Sequence, residues 1–449
     1  MNIIQIIHKY LSNQRFRAIL IRGLAQVVVA LPPLVVLAKY GASGAGLFAI
    51  LIAVAGLSLV LEWGFSYKLQ NEVSRGENKL PYTLHWFLLK SGLLPHLLIN
   101  VCLGLLFCRF SAILLPRVFP PQIAQVLGGN PNALLALVLI TASSAAIYHG
   151  RSIIFGLGHL DRGFLISLLG AGFSLALVVV GSFLGVSVTL IAVFALSAAL
   201  FERLLGCAYC FLLARPLERH SSLPRPENVS EADPNRGWKV AFMFFYLQIL
   251  SMAANNIDAI YAGRSNSLTA VGEFSFLLKL FGIPLLIVNV LNTSAWPRLA
   301  VESRNSQQGA RQTLLHLLRS NLVIVIGGGL LIVASAGFIY KLITRVPGNL
   351  LVLSLLMLFD FSFQAVRGVM TTFVNAAEII GINLIGNTVF SLAAVFLKVH
   401  MVDRFGINGL VLADLMSYVV FLLPFHLAAV VWIEKHSTNV KALKISDAE

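Results

Sequence analysis

Ionisable side chains set inside apolar runs are the residues of this sequence best placed to do chemistry. Arg22 opens the stretch RGLAQVVVALPPLVV, and Lys279 lies about ten residues inside the run 269–296. Asp360 and Arg367 stand seven residues apart on one helical face of the run 348–375, and Asp414 sits in 406–432. Asp258 lies near the end of the run 239–261, and Glu273 near the start of 269–296. A charge held at mid-bilayer costs roughly 2.5 to 3.5 kcal/mol on insertion scales and faces protein or trapped water, so each position needs a reason. Arg offers phosphate oxygens a bidentate fork and Lys a point charge; the deep cations Arg22, Lys279 and Arg367 therefore match an anionic ligand. The carboxylates Asp360, Asp258 and Glu273 are the groups able to take up a proton or Na+. Amides at Asn255, Asn256 and Asn289 suit a hydroxyl-rich ligand, although interhelical hydrogen bonding explains most such groups.

Other charges read as boundary groups. Arg151 and the adjacent Glu202 and Arg203 lie toward the cytoplasmic ends of their runs, where long side chains snorkel to water. There is no phosphate loop of the GxxxxGK[ST] type, no HExxH and no serine elbow. Cys207 and Cys210 have CxxC spacing, but in an apolar run without a second pair or a nearby His they are expected to pack as small hydrophobes. Covalent chemistry is disfavoured and no cofactor is expected. The energy source is then an ion gradient, H+ or Na+, or the gradient of the ligand itself.

The elements that position these residues follow from composition. The chain of 449 residues is 58% hydrophobic and 12% charged with a mean hydropathy of +0.85, more apolar surface than a soluble fold buries. It reads as an all-α polytopic membrane protein of about 12 transmembrane helices, at 18–38, 43–66, 91–113, 131–156, 163–185, 187–213, 239–261, 269–296, 320–341, 348–375, 381–401 and 406–432. The pair meeting near Val186 has a very short turn. Residues 1–17 lack a cleavage site, and Ile3, Ile4, Ile7 and Leu11 recur at the spacing of a short interfacial helix.

Loop charge sets the orientation. The amino terminus, the loops 67–90, 215–239 and 298–319, and the tail hold about 21 basic residues against about 8 on the other side, so both termini are expected in the cytoplasm. The net charge of +14 is mostly this bias together with attraction to anionic lipid, and no nucleic-acid partner is expected. The polar stretch RPLERHSSLPRPENVSEADPNRGWK separates two halves: an amino-terminal six-helix lobe, 1–214, a cytoplasmic linker, 215–238, and a carboxy-terminal six-helix lobe with its tail, 239–449. An even number of spans per half gives both the same topology, a repeat arrangement found in transporters. Pro32 and Pro33, Pro284 and Pro424 each remove a helical hydrogen bond and are expected to kink their helices around a polar cavity.

Three stretches carry a family resemblance: EWGFSYKLQNEVSRG at the end of the second span, NNIDAIYAG in the seventh, and VGEFSFLLKLFGIPLLIVNVLNTSAWPRLA through the eighth. With the twelve-span, two-lobe plan they resemble the polysaccharide and O-antigen repeat-unit flippases of the multidrug/oligosaccharidyl-lipid/polysaccharide exporter superfamily. Glu62 stands where that family commonly has Asp before Gly64. The resemblance implies a V-shaped pair of pseudo-symmetric lobes with a central cavity lined by spans 1, 2, 7 and 8. It implies a bacterial inner-membrane protein that moves an undecaprenyl-pyrophosphate-linked oligosaccharide from the cytoplasmic to the periplasmic leaflet by alternating access. The partners it implies are the lipid-linked oligosaccharide, the bilayer, and a polysaccharide polymerase and chain-length regulator. Two other classes stay open: a cation-coupled antiporter of drugs or small molecules on the same fold, and a membrane polysaccharide polymerase or ligase. The latter is an enzyme, and the short outer loops, the longest at 109–130, speak against it.

Overall fold

The computed structural model describes residues 14–56, 93–118, 121–156, 159–217, 245–246, 249–250, 252, 254, 258–265, 267–305, 307–346, 348–376, 380–428 and 430–431. Every regular element among them is helical. Among the described residues nine helices are long and apolar enough to cross a membrane, or ten if a bent pair is counted as one span. The amino-terminal segment with Ile3, Ile4, Ile7 and Leu11, Glu62, the loop 67–90, Asn255, Asn256, the linker from residue 218 onward and the basic tail lie outside the described residues.

The chain divides into two compact units, Met1–Met252 and Ala253–Glu449. In the first, α1 (Gln14–Gly56) packs along α7 (Leu160–Phe183), and α7 along α8 (Val188–Leu217). Forty-three residues of continuous helix would reach roughly 64 Å, about twice the ~30 Å hydrocarbon core, so α1 must turn. It turns at Gly41, whose φ of 69° and ψ of −173° are non-helical; dihedrals stay helical across Pro32 and Pro33, the residues expected to break it. Only glycine adopts that pair of angles cheaply, and a Cβ there would meet no heavy atom within 4 Å. Gly41→Ala is therefore a test of backbone strain alone. It should cost about 1–3 kcal/mol in thermal unfolding of the solubilised protein, whereas Gly23→Ala, equally uncrowded but helical, should not destabilise.

α2 (Leu93–Arg109) is followed after Phe110 by α3 (Ser111–Val118), bent from it by 83°. α4 (Pro121–Gly128) then leads to α5 (Pro131–Ile147), which Asn130 caps by accepting the Ala133 N–H at 3.2 Å. The stretch 109–130, expected as loop, is thus mostly two short helices that bury Leu115 and Leu127. α6 (His149–Gly156) completes the span begun by α5. α7 and α8 are separate helices joined by the turn 184–187, where the Tyr40 hydroxyl donates to the Val186 carbonyl at 2.5 Å and ties the turn to α1.

The second unit holds α9 (Asp258–Ser265), α10 (Leu268–Asn305), α11 (Gln307–Thr344), α12 (Leu351–Ala376), α13 (Ile380–Phe405) and α14 (Ile407–Ser417). α10 and α11 each have 38 residues, roughly 57 Å, and run past the core of a bilayer. The expected loop 298–319 is therefore largely helical. The reason is its own apolar spacing: Ala310, Leu314 and Leu317 are buried against Leu299, Val369, Met370 and Phe373. α14 passes into a π-helical turn, Tyr418–Leu422, with the Leu423 N–H donating to the Tyr418 carbonyl. Pro424 lacks an N–H, and the widened turn just before it absorbs the break in the ladder. Outward faces stay apolar: Leu331 is 72% and Phe338 71% exposed, the surface a helix presents to lipid.

Candidate functional site

The helix α13 carries one stripe at four-residue spacing, Phe390, Ala394 and Lys398, and all three are buried. An apolar stripe positions Phe390 and Ala394; the lysine continues it, and the small Ala394 leaves room for its stem. Opposite lie Asp258 on α9 and Asp414 on α14. α14 can approach because Gly409, just after the turn from α13, has no side chain: a Cβ there would lie 2.1 Å from the Met401 carbonyl oxygen.

Lys398 is fully enclosed. Its Nζ donates to Asp258 Oδ1 at 2.5 Å and to the main-chain carbonyl of Ala254, and pairs with Asp414 Oδ1 at 2.8 Å. Two of the three oxygens accept from the ammonium, and Asp414 Oδ1 lies beside it as an ion pair without hydrogen-bond geometry. Desolvating one ion in such a place costs several kcal/mol, which pairing of this quality offsets.

Beside this trio, α12 presents Asp360, Gln364 and Arg367 on one face. Gln364 donates its amide to Asp360 Oδ2 at 2.8 Å. The Arg367 guanidinium sits over the Phe390 ring, 4.3 Å from its centroid, and donates to Asn387 Oδ1 at 3.4 Å. Asp360 and Arg367 share a face as the spacing implies, and each has its own polar neighbour. A cavity of about 280 Å³ opens among Asp258, Asp360 and Asp414, with Phe274, Leu278, Leu285 and Met357 as its apolar walls. That volume, near the lower end of ligand-pocket sizes, has room for an ion and its hydration. A second pocket, with room for about one water, shares Asp360, Gln364 and Asp414 and adds Arg367 and Tyr418. The Tyr418 hydroxyl and both nitrogens of the nearby His426 are buried without a hydrogen-bond partner among the described residues. With His426 neutral, three carboxylates face two cations here, and one bound proton or monovalent cation balances the cluster.

The remaining expected residues lie apart from it. Glu273 on α10 lies beside Tyr340 of α11. Lys279 is half-buried on α10 and absent from the cavity wall, which takes Phe274, Leu278 and Leu285 from that helix. Asn289 is also on α10, and one turn on Asn292 accepts the Asn321 amide at 2.7 Å, a buried link between α10 and α11. In the first unit Arg22 is half-buried with its guanidinium 5.4 Å from the Phe164 ring centroid on α7. Among the described residues no carboxylate pairs with Arg22 or Lys279.

In the first unit, two charges expected only at boundaries meet. Arg151 pairs with Glu202 at 3.2 Å and lies against Tyr148 and Phe155, while the Ser167 hydroxyl donates to the same Glu202 oxygen at 2.7 Å, joining α6, α7 and α8. The cysteines pack as expected, Cys210 donating to the Gly150 carbonyl at 2.9 Å and Cys207 to that of Ile147 at 3.3 Å.

Lys398 is the residue sequence reasoning missed. It falls three residues from the end of the expected span 381–401, where a lysine reads as snorkelling. The signal that finds it is register: it continues the stripe of Phe390 and Ala394, so its stem cannot lie on the lipid face.

No family model matches the sequence, and no curated protein matches it. Solved structures do. The lipid II flippase MurJ in an inward closed conformation is 14% identical over 94% of this chain and 91% of that one, with a TM-score of 0.62. An inward-facing multidrug resistance MATE family transporter of the MOP superfamily is 13% identical over 93% and 96%, also at 0.62. A Vibrio cholerae MATE transporter is 14% identical over 95% and 97%, at 0.59. At these identities the likeness is one of fold: this chain has the helical, polytopic membrane fold of the MurJ flippase and the MATE transporters.

Proposed function

We propose that the chain is an inner-membrane flippase that carries an undecaprenyl-pyrophosphate-linked oligosaccharide repeat unit from the cytoplasmic to the periplasmic leaflet for surface polysaccharide synthesis. The observation that carries this reading is the pair of half-buried cations, Arg22 and Lys279, each within a membrane span and without a paired carboxylate among the described residues. A pyrophosphate supplies the missing anion, and the fold shared with a lipid II flippase supports a lipid-linked cargo. Amides at Asn255, Asn256 and Asn289 contact the glycan. The prenyl tail stays in lipid, so only the head group is desolvated. Coupling falls to Asp360, because Asp258 is engaged by Lys398 and Glu273 by Tyr340. Arg367, set on Phe390 beside it, balances that carboxylate.

The test is complementation of a flippase-null strain supplied with a matched repeat unit, scoring surface polysaccharide and the leaflet in which the lipid-linked unit accumulates. Wild type should restore export. Arg22→Ala and Lys279→Ala at matched membrane level should each lower it at least about tenfold, the loss of one charge-assisted contact, and strand the unit on the cytoplasmic side. Asp360→Asn should leave residual export indifferent to a protonophore. Full export by both cation variants removes them from the substrate path. A second reading, a cation-coupled antiporter of small molecules, draws on the multidrug transporter matched at the same TM-score. It replaces the first if wild type fails to restore polysaccharide but raises drug resistance.

A further inference from the structure

Oxygens from three segments of the second unit converge on one point: the Ala254 main-chain carbonyl, Asp258 Oδ1 from α9 and Asp414 Oδ1 from α14. Two carboxylates and a carbonyl form an all-oxygen set of the kind that binds hard cations in proteins. Here a fourth segment, α13, delivers the Lys398 ammonium into the set, where it donates to the Ala254 and Asp258 oxygens and lies 2.8 Å from Asp414 Oδ1. Asp258 and Asp414 also line the 280 Å³ cavity, so an ion arriving through that cavity would reach the same oxygens.

We propose that this is a monovalent-cation site occupied by the protein's own side chain, with Lys398 as a tethered counter-ion. The second unit then needs no Na+ or K+ at this position, and removing the ammonium opens the site to the free ion. The physical reason is charge. Once Lys398 is truncated, two carboxylates that shared one ammonium face each other in an apolar interior, and either a cation enters or one of them protonates. The carbonyl favours the cation, since its lone pair coordinates a metal ion as readily as it accepts from an ammonium but offers a neutral carboxyl only one hydrogen bond. The inference stands whether or not the cargo is a lipid-linked glycan.

The experiment is thermal unfolding of the purified full chain in detergent, in 100 mM choline chloride against 100 mM NaCl or KCl, at a pH where carboxylates are ionised. Any response of the wild-type midpoint to the three salts, arising at Asp360, should survive Asp258→Asn. Lys398→Ala should gain about 5 °C in NaCl or KCl over choline, the shift expected for a millimolar site at this concentration. Lys398→Ser is run beside it in case the alanine variant does not survive purification. Adding Asp258→Asn and Asp414→Asn to either should abolish the gain. A wild-type midpoint raised by Na+ or K+, and lost with Asp258→Asn, overturns the proposal because the site is then not filled by lysine. So does a Lys398→Ala or Lys398→Ser protein stabilised only by lowering the pH, because the vacated pair then takes a proton and not an ion.

Discussion

In a buffer without small cations, Lys398→Met should lower the stability of the second unit by about 3–5 kcal/mol, seen as a fall in the unfolding midpoint and in the folded yield from membranes. Methionine keeps the volume and flexibility of the stem, so packing against Ala394 changes little. What is lost is the charge, and with it the partner of Asp258 and Asp414 at 2.5 and 2.8 Å. The loss is large because the carboxylates stay where they are, one on α9 and one on α14, only 14% and 15% exposed. A triple variant with Asp258→Asn and Asp414→Asn should recover most of the loss, since a buried ion network replaced as a whole by neutral groups is close to neutral in cost. If Lys398→Met unfolds at the wild-type midpoint, the trio contributes packing alone and its charges are not coupled.

Gly409→Ala should be nearly as damaging, about 3 kcal/mol or more, for a purely steric reason. The added Cβ would lie 2.1 Å from the Met401 carbonyl oxygen and 2.5 Å from its carbon, both main-chain atoms of α13 that no rotamer change can clear. Relief requires α14 to move off α13, which draws Asp414, five residues further along α14, away from Lys398. Gly337→Ala on α11, where a Cβ meets nothing within 4 Å, is the control and should be neutral or slightly stabilising. Size-exclusion profiles and unfolding midpoints of the two proteins, made side by side, check this. Equal behaviour would mean that α13 and α14 do not approach as closely as described.

The membrane class and most of the spans were legible because they rest on local composition, a property of about twenty consecutive residues. The long α10 and α11 were partly legible: their apolar cores fall at 269–296 and 320–341, but their continuation toward each other rests on Ala310, Leu314 and Leu317 finding Val369 and Phe373, contacts no window on the sequence contains. The turn of the first long helix was legible, since Gly41 falls in the gap between the expected spans 18–38 and 43–66. The kink expected at Pro32 and Pro33 was not, because both are accommodated with helical dihedrals.

The intramembrane charges themselves, Arg22, Lys279, Asp360, Arg367 and Asp414, were likewise visible, since a charge in an apolar run stands out against its neighbours. Sequence alone therefore determined that this is a polytopic helical protein holding costly charges inside its spans, and which residues they are. Only the tertiary structure decided which of them meet. Lys398 and Asp258 are 140 residues apart in the chain, and their pairing depends on the register of α13 and the approach of α9 and α14 around it. Asp360 and Arg367 share a face by spacing, but Gln364 and Asn387 are the neighbours that hold them. Composition sets the free-energy cost of a buried charge; the packing of helices distant in sequence sets which partner offsets it.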